Sequence, residues 1–356
     1  MLTILAGIAL AVTLGPIAPV APAREPQMAA KGPMAGLTFG AAKGIYFSKS
    51  SDSGKSFSAP LKIAEAEIIP LTRHRGPRIV FTKYSIVISA VVGRTLAEGA
   101  HAHGLPSDGD LVTWRSEDGG VSWSKGITIN DMPGAATEGL HSLAADASGN
   151  LFAAWLDSRG GKGVALYGAR STDDGRSWSK NVQIYQSPEG TICACCHPSI
   201  AIDSSGQIAV MWRNWLGGAR DMYLTRSRDG AVFSKPERLG RGTWRLNACP
   251  MDGGGIAIFQ NRMITAWRRV HEIFLASPGE KEVGIGEGVD VALTAAAEGV
   301  YAIWSTPLGV RALLPGRKDS ITLAPKGALP TITALRNGHA LAAWEEGGSI
   351  RIKPVP

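Results

Sequence analysis

Long apolar runs, blocks of basic residues and cysteine are all scarce in this chain of 356 residues, and each scarcity removes a class of protein. Beyond residue 15 nothing approaches the roughly 18 consecutive apolar residues that a membrane-spanning helix needs, so no span is expected after the N-terminus. Lys and Arg (37) exceed Asp and Glu (30) for a net charge of +7, yet they form no dense block and no nucleic-acid motif accompanies them. A nucleic-acid partner is therefore not expected; the basic balance reads first as ordinary solubility charge, with an anionic small molecule or glycan as the alternative. Only four cysteines are present, three of them within four residues.

What the N-terminus does have is an uncharged apolar run over residues 2–15, followed by a Pro/Ala stretch ending at Ala21 to Ala23. This reads as a signal peptide over residues 1–23 with small-residue cleavage sites. The n-region carries no Lys or Arg, which leaves an uncleaved anchor as the alternative. A linker over 24–34 and a single domain over 35–356 complete the expected organisation. The protein is expected to be periplasmic or secreted, where disulfides persist.

Self-similarity dominates the rest of the chain. Ser50-Ser51-Asp52-Ser53-Gly54-Lys55-Ser56-Phe57 is echoed by Ser116-Glu117-Asp118-Gly119-Gly120-Val121-Ser122-Trp123 and by Ser171-Thr172-Asp173-Asp174-Gly175-Arg176-Ser177-Trp178, at intervals of 66 and 55 residues. Ser227-Arg228-Asp229-Gly230-Ala231-Val232-Phe233 is one residue short of the same pattern. The spacing suits a hairpin: Asp and Ser side chains bond the turn's own backbone, Gly takes the positive φ, and the aromatic packs beneath. A second repeat places β-rich runs, most ending in Trp, at 151–155, 208–212, 263–267, 300–304 and 339–344, with a Trp-less one at 86–92. Hairpins in fixed order at this period are the signature of a β-propeller, an all-β fold of four-stranded blades.

The Ser-x-Asp-x-Gly-x-Ser/Thr-Trp segments resemble the Asp boxes of the sialidase superfamily, also called BNR repeats, and the resemblance covers the chain from about Leu37 onward as a fold. It implies six blades. Counting third strands, near Tyr46, Val112, Tyr167, Tyr223, Phe274, Ala312 and Ile352, gives seven. The first unit lacks an evident innermost strand and the last an outermost one, so the terminal units either share a blade or stand as two.

Asp boxes join the third and fourth strands, so they occupy one face and are expected to be structural. The links into the innermost strands form the opposite mouth: Arg75-Gly76-Pro77-Arg78, Glu138-Gly139-Leu140-His141, Cys193-Ala194-Cys195-Cys196-His197-Pro198, Cys249-Pro250-Met251-Asp252 and Glu287-Gly288-Val289-Asp290. Turns between second and third strands add Arg94, Glu98, His101, His103 and Asp108, then Asp157 and Arg159, Arg213 and Asn214, Arg268, Arg269 and His271, and Glu345 and Glu346. All four cysteines and five of the seven histidines thus map to this face.

The cysteine cluster has three readings. Cys249 bridging to Cys193, Cys195 or Cys196, with a second local bridge, would make a disulfide-stabilised binding propeller without catalysis. Thiolate and imidazole ligands from Cys193, Cys195, Cys196, Cys249, His141 and His197, with Met251 as a soft thioether, suit copper or zinc. Cys193 to His197 also satisfies the Cys-x-x-Cys-His pattern of haem attachment, which is disfavoured because Pro198 leads straight into a strand.

The sialidase resemblance implies a second activity, exo-glycosidase action on acidic sugars, with three arginines holding a carboxylate, an Asp acid/base and a Tyr nucleophile. Carried over residue by residue, Arg78 in Pro77-Arg78-Ile79-Val80 shares only Arg-Ile with the family's first arginine motif. Arg159 and Arg213 are candidates to complete the clamp, alongside Arg245 and Arg268. Asp157 or Asp108 is the candidate acid. Tyr301 is the only tyrosine late in the chain and falls within a strand.

Overall fold

The computed structural model describes residues 11–15, 22–98 and 104–356. Most of the segment read as a signal peptide, together with His101 and His103, lies outside the described residues. Among the described residues the strands form seven separate four-stranded antiparallel sheets, the blades of a β-propeller. Among the described residues no helix is long and apolar enough to cross a membrane.

Seven is the higher of the two blade counts, and both terminal strands come from places the patterns conceal. The segment read as a linker carries Arg24–Lys31, the innermost strand of blade 1, which pairs with Met34–Ala41. Val12–Leu14, within the apolar N-terminal run, lies antiparallel to the last strand Ser349–Val355 and supplies the fourth strand of blade 7. Each of the seven third strands expected from the repeat is present, from Gly44–Ser50 to Ser349–Val355.

The blades have their cores between them. Side chains alternate across a strand, so each second strand serves two interfaces. In Leu151–Asp157, Leu151, Ala153 and Trp155 pack toward blade 2 with Val87, Val91 and Leu111. Phe152, Ala154 and Leu156 pack toward blade 4 with Ile208, Val210 and Trp212. The same alternation produces one apolar cluster at every junction around the ring, including the closing one, where Met28, Leu37 and Phe39 meet Leu341, Ala343 and Ile352. The recurring tryptophans Trp155, Trp212, Trp304 and Trp344 are all almost fully buried. They explain the second repeat: a large flat side chain fills the widening gap between splayed sheets.

The Asp boxes close the hairpins as expected. In the second box Ser116 Oγ donates to Asp118 Oδ1 at 2.8 Å and accepts from Gly120 N at 2.8 Å, while Ser122 N and Oγ donate to the carboxylate at 2.9 and 2.5 Å. Gly120 sits at φ 85°, and a side chain there would also run into the Phe47 ring. Trp123 packs edge-on against Phe47, with centroids 5.2 Å apart. The hydroxyls of Ser56 and Ser122 hold Asp52 and Asp118 well below the usual carboxylate range, and the N–H groups of Val232 and Ala231 hold Asp229 at about 2. A depressed acid contributes stability that is complete above the unfolded value near pH 4 and disappears as pH falls through the folded value. The Asp118→Ala variant should therefore melt below the wild type at pH 7, with the gap narrowing as pH falls toward 2. A gap in melting temperature that is constant across that range would contradict this role.

Candidate functional site

The innermost strands of all seven blades line one axial channel, a cavity of about 200 Å³. Its polar end is built where the chain enters those strands. In blades 1, 6 and 7 the innermost strand shifts register between Arg24 and Gln27, Val289 and Ala292, and Ala328 and Thr331. Such bulges bend a strand and re-aim its side chains. Glu25, Asp290 and Leu329 sit in them with φ of 54°, 59° and 50°, and the entries to blades 2 and 5 hold His74 at 68° and Met251 at 55°. Left-handed backbone costs a non-glycine residue about 1–2 kcal/mol, so local strain collects around this one opening.

Two groups of side chains result. The first centres on the axis. His74 Nε2 lies 3.0 Å from Asp290 Oδ1, and the His74 ring sits against the His197 ring with centroids 4.3 Å apart. Asp252, only 1% exposed, accepts from Asp290 N at 3.2 Å through Oδ2, which also lies 3.3 Å from Arg268 Nε; its Oδ1 has no partner. His197 Nδ1 is buried and likewise unpartnered. Glu25 accepts from His74 N at 3.0 Å and donates its own N–H to Glu345 Oε1 at 2.6 Å.

Burial sets the charges here. It pushes Asp252 up, reinforced by the neighbouring Asp290 carboxylate. Burial also works against ionised Asp290 and protonated His74, but their mutual hydrogen bond and attraction outweigh it, lowering the acid and raising the imidazole. Burial, aided by His74, drives His197 well below the ordinary histidine range. Desolvation lifts Glu25 to about 7 despite the nearby His74 and Arg78 charges.

The second group is the thiol cluster on the link between blades 3 and 4. Cys193 Sγ lies 3.6 Å from Cys195 Sγ and 3.4 Å from Cys196 Sγ, with the three residues 0%, 6% and 1% exposed. Met251 packs against them. Hydrogen bonds from Cys195 and Cys196, with the guanidinium charges of Arg220 and Arg213, pull the Cys193 thiol far below its usual value. Arg220 Nη1 donates to Cys193 Sγ at 3.1 Å. Desolvation pushes Cys196 up to about 12.

The expected metal ligands divide between these groups and beyond them. Cys193, Cys195 and Cys196 converge, whereas His197 belongs to the axial group. His141 is buried with Nε2 at 2.9 Å from Ser89 Oγ. Cys249 is exposed and unbonded, and all four cysteines are free, so the expected Cys249 bridge and its local companion are absent.

The arginine candidates are engaged by the protein itself. Arg78 donates to the carbonyls of Gly76 and Pro77, at 3.1 and 3.2 Å, and to that of His74. Arg213 donates to the carbonyls of Asp252, Arg220 and Arg268 at 3.1, 2.7 and 2.9 Å. Arg159 pairs with both oxygens of Asp157 at 2.9 Å, reaches Asp131 at 2.9 Å and stacks on Tyr167. Asp157 also accepts from Trp155 Nε1 at 2.8 Å. Arg245 donates to Gly217 O and Asp108 accepts from Arg94 N and Thr95 N. Tyr301 is buried within a strand, and no tyrosine lines the axial cavity.

Sequence reasoning missed His74, Glu25 and Arg220. His74 stands one residue before a segment that it singled out, and Glu25 was hidden in the supposed linker. Arg220 carried no signal until its guanidinium was seen against the Cys193 sulfur.

Seven four-stranded blades, Asp-box hairpins on one face and a buried polar mouth on the other define a BNR-type, sialidase-like propeller. The chain belongs to the BNR repeat-like domain family, whose model matches residues 44–269. Among solved structures, a protein of unknown function from Dyadobacter fermentans is similar with a TM-score of 0.57 at 15% identity, over 94% of this chain and 95% of that one. An ulvan lyase, a polysaccharide lyase, has a TM-score of 0.59 at 12% identity over 94% of each chain. The intramolecular trans-sialidase of Ruminococcus gnavus has a TM-score of 0.56 at 10% identity, over 93% of this chain and 94% of that one. At these identities the likeness is one of fold. No curated protein sequence matches the chain.

Proposed function

We propose that this protein is a sialidase-like propeller that binds Cu(I) through Cys193, Cys195 and Cys196. The observation that carries the reading is the convergence of three buried sulfurs at 3.4 and 3.6 Å from Cys193. Thiolates sharing a metal at about 2.3 Å stand about 3.8 Å apart in a tetrahedron, so little movement would seat an ion. Copper is favoured over zinc by the donor set: three thiolates with a thioether beside them are soft ligands, and the described residues place neither imidazole nor carboxylate among the sulfurs. Arg220 supports the same reading, because a guanidinium on Cys193 Sγ offsets the charge of a thiolate-rich centre.

The glycosidase alternative draws on the structural neighbours, a trans-sialidase and a polysaccharide lyase. It finds less support in this chain, whose Arg78 and Arg213 are directed at backbone carbonyls rather than outward. An anionic ligand at the mouth would have to be met by other groups.

The test is anaerobic titration of the full chain with Cu(I) against a chromophoric chelator, with a parallel thiol count. One Cu(I) per chain, and protection of three thiols while Cys249 stays reactive, is the expected result. No Cu(I) retained, with all thiols equally reactive, would reject the reading. Hydrolysis of a fluorogenic sialoside would favour the alternative.

A further inference from the structure

We propose that the axial mouth is a second metal site, separate from the thiols, in which His74, Asp252 and Asp290 hold a harder divalent transition-metal ion of the Mn(II) kind. One ligand atom from each of the three residues lies within 4.8 Å of the other two. The 3.0 Å between His74 Nε2 and Asp290 Oδ1 equals the separation of neighbouring ligands around an octahedral ion with bonds of about 2.1 Å. One imidazole and two carboxylates are the donors that Mn(II) and its neighbours accept and that Cu(I) does not favour.

An ion pair between His74 and Asp290 would account for those two residues alone. It leaves Asp252, 1% exposed, with Oδ1 unpartnered beside a second carboxylate. A buried carboxylate oxygen without a donor is costly, and two adjacent carboxylates repel. A divalent cation between them answers both. The backbone points the same way: His74 and Asp290 are both held in left-handed conformations, and Asp290 sits in a strand bulge. Strain of this kind persists where the surrounding fold enforces a particular side-chain placement. Arg268 Nε, 3.3 Å from Asp252 Oδ2, offsets charge on that carboxylate and leaves Oδ1 free. Three protein ligands leave coordination positions open, and the site borders the axial cavity, which is lined by His74, His197 and Asp290.

The proposal shares no ligand with the copper reading, so the two can fail separately. Mn(II) is titrated into the full-length protein, with and without Cu(I), and free Mn(II) is followed by its electron paramagnetic resonance signal. Expected are one bound Mn(II) per chain whether or not Cu(I) is present, and affinity weaker by roughly tenfold to a hundredfold or more in His74→Gln and Asp252→Asn. Cu(I) stoichiometry in those variants should equal that of the wild type. If circular dichroism shows that Asp252→Asn does not fold, His74→Gln and Asp290→Asn decide. Absence of Mn(II) binding at millimolar concentration, or unchanged affinity in the folded variants, overturns the proposal. Loss of Mn(II) binding in Cys193→Ser would overturn the separation of the two sites.

Discussion

Replacing Arg213 with methionine should lower the unfolding free energy by about 3–5 kcal/mol, measured by chemical denaturation. Arg213 is 1% exposed, and its guanidinium is the donor for the carbonyls of Asp252, Arg220 and Arg268, three separate segments of the mouth. Methionine is of similar length and apolar, so the variant isolates the lost donors from the loss of packing. Each orphaned buried carbonyl costs about 1–3 kcal/mol, partly relieved by relaxation. The Arg213 carbonyl also accepts from Cys193 N at 3.2 Å, so the thiol loop should loosen with it. Lysine, a single point of charge, cannot serve three carbonyls and should recover only part of the loss. A loss below about 1 kcal/mol would show that those carbonyls find other donors. It would also free Arg213 for the anion-binding role that its residue type suggests.

The second large effect is expected at the thiols. Cys193→Ser should weaken Cu(I) binding by roughly a thousandfold: metal-thiolate binding energies of about 10–16 kcal/mol spread over three or four ligands leave about 4 kcal/mol for each. Cys193 is the member whose pKa is lowered and the one that Arg220 contacts, so its loss also removes the sulfur on which that guanidinium is seated. Cys195→Ser and Cys196→Ser should follow in the same direction. Cys249→Ser is the control, because that residue is exposed and outside the cluster. Competition titration reads all four. Equal affinity in Cys193→Ser and Cys249→Ser would remove the thiol cluster from consideration as a metal site.

Much of this architecture was legible in the chain because it is written locally. An Asp box specifies its own hairpin within eight residues, since the side chains of Asp118 and Ser116 bond each other and the backbone and hydroxyl groups of that turn. The tryptophan-ended strands marked five of the seven blades, because those interfaces use the same large side chain in the same strand; Met34–Ala41 and Ile86–Val92 have none. The first strand, Arg24–Lys31, resisted recognition: it is polar and follows a Pro/Ala stretch, and nothing in it announces a blade. Its partner problem, the pairing of Val12–Leu14 with Ser349–Val355, joins opposite ends of the chain and has no local trace.

The three cysteines could be read directly as one cluster because they occupy one short link. The axial group could not, since His74 and Asp290 are 216 residues apart and meet only when the ring closes. The arginines show the limit most clearly. The sialidase resemblance suggested an anion clamp with Arg78, Arg159 and Arg213 as candidates, yet closing a propeller buries carbonyls at the blade entrances, and two of these guanidiniums satisfy them. By itself, then, the sequence determined an all-β Asp-box propeller, its inert face and the richness of the opposite mouth, because those properties depend on short-range turn chemistry and period. Tertiary structure decided the seventh blade, the separation of thiols from imidazoles, and which charged groups remain available. Those depend on which distant segments the closed ring brings together, and on hydrogen bonds that exist only once it has closed.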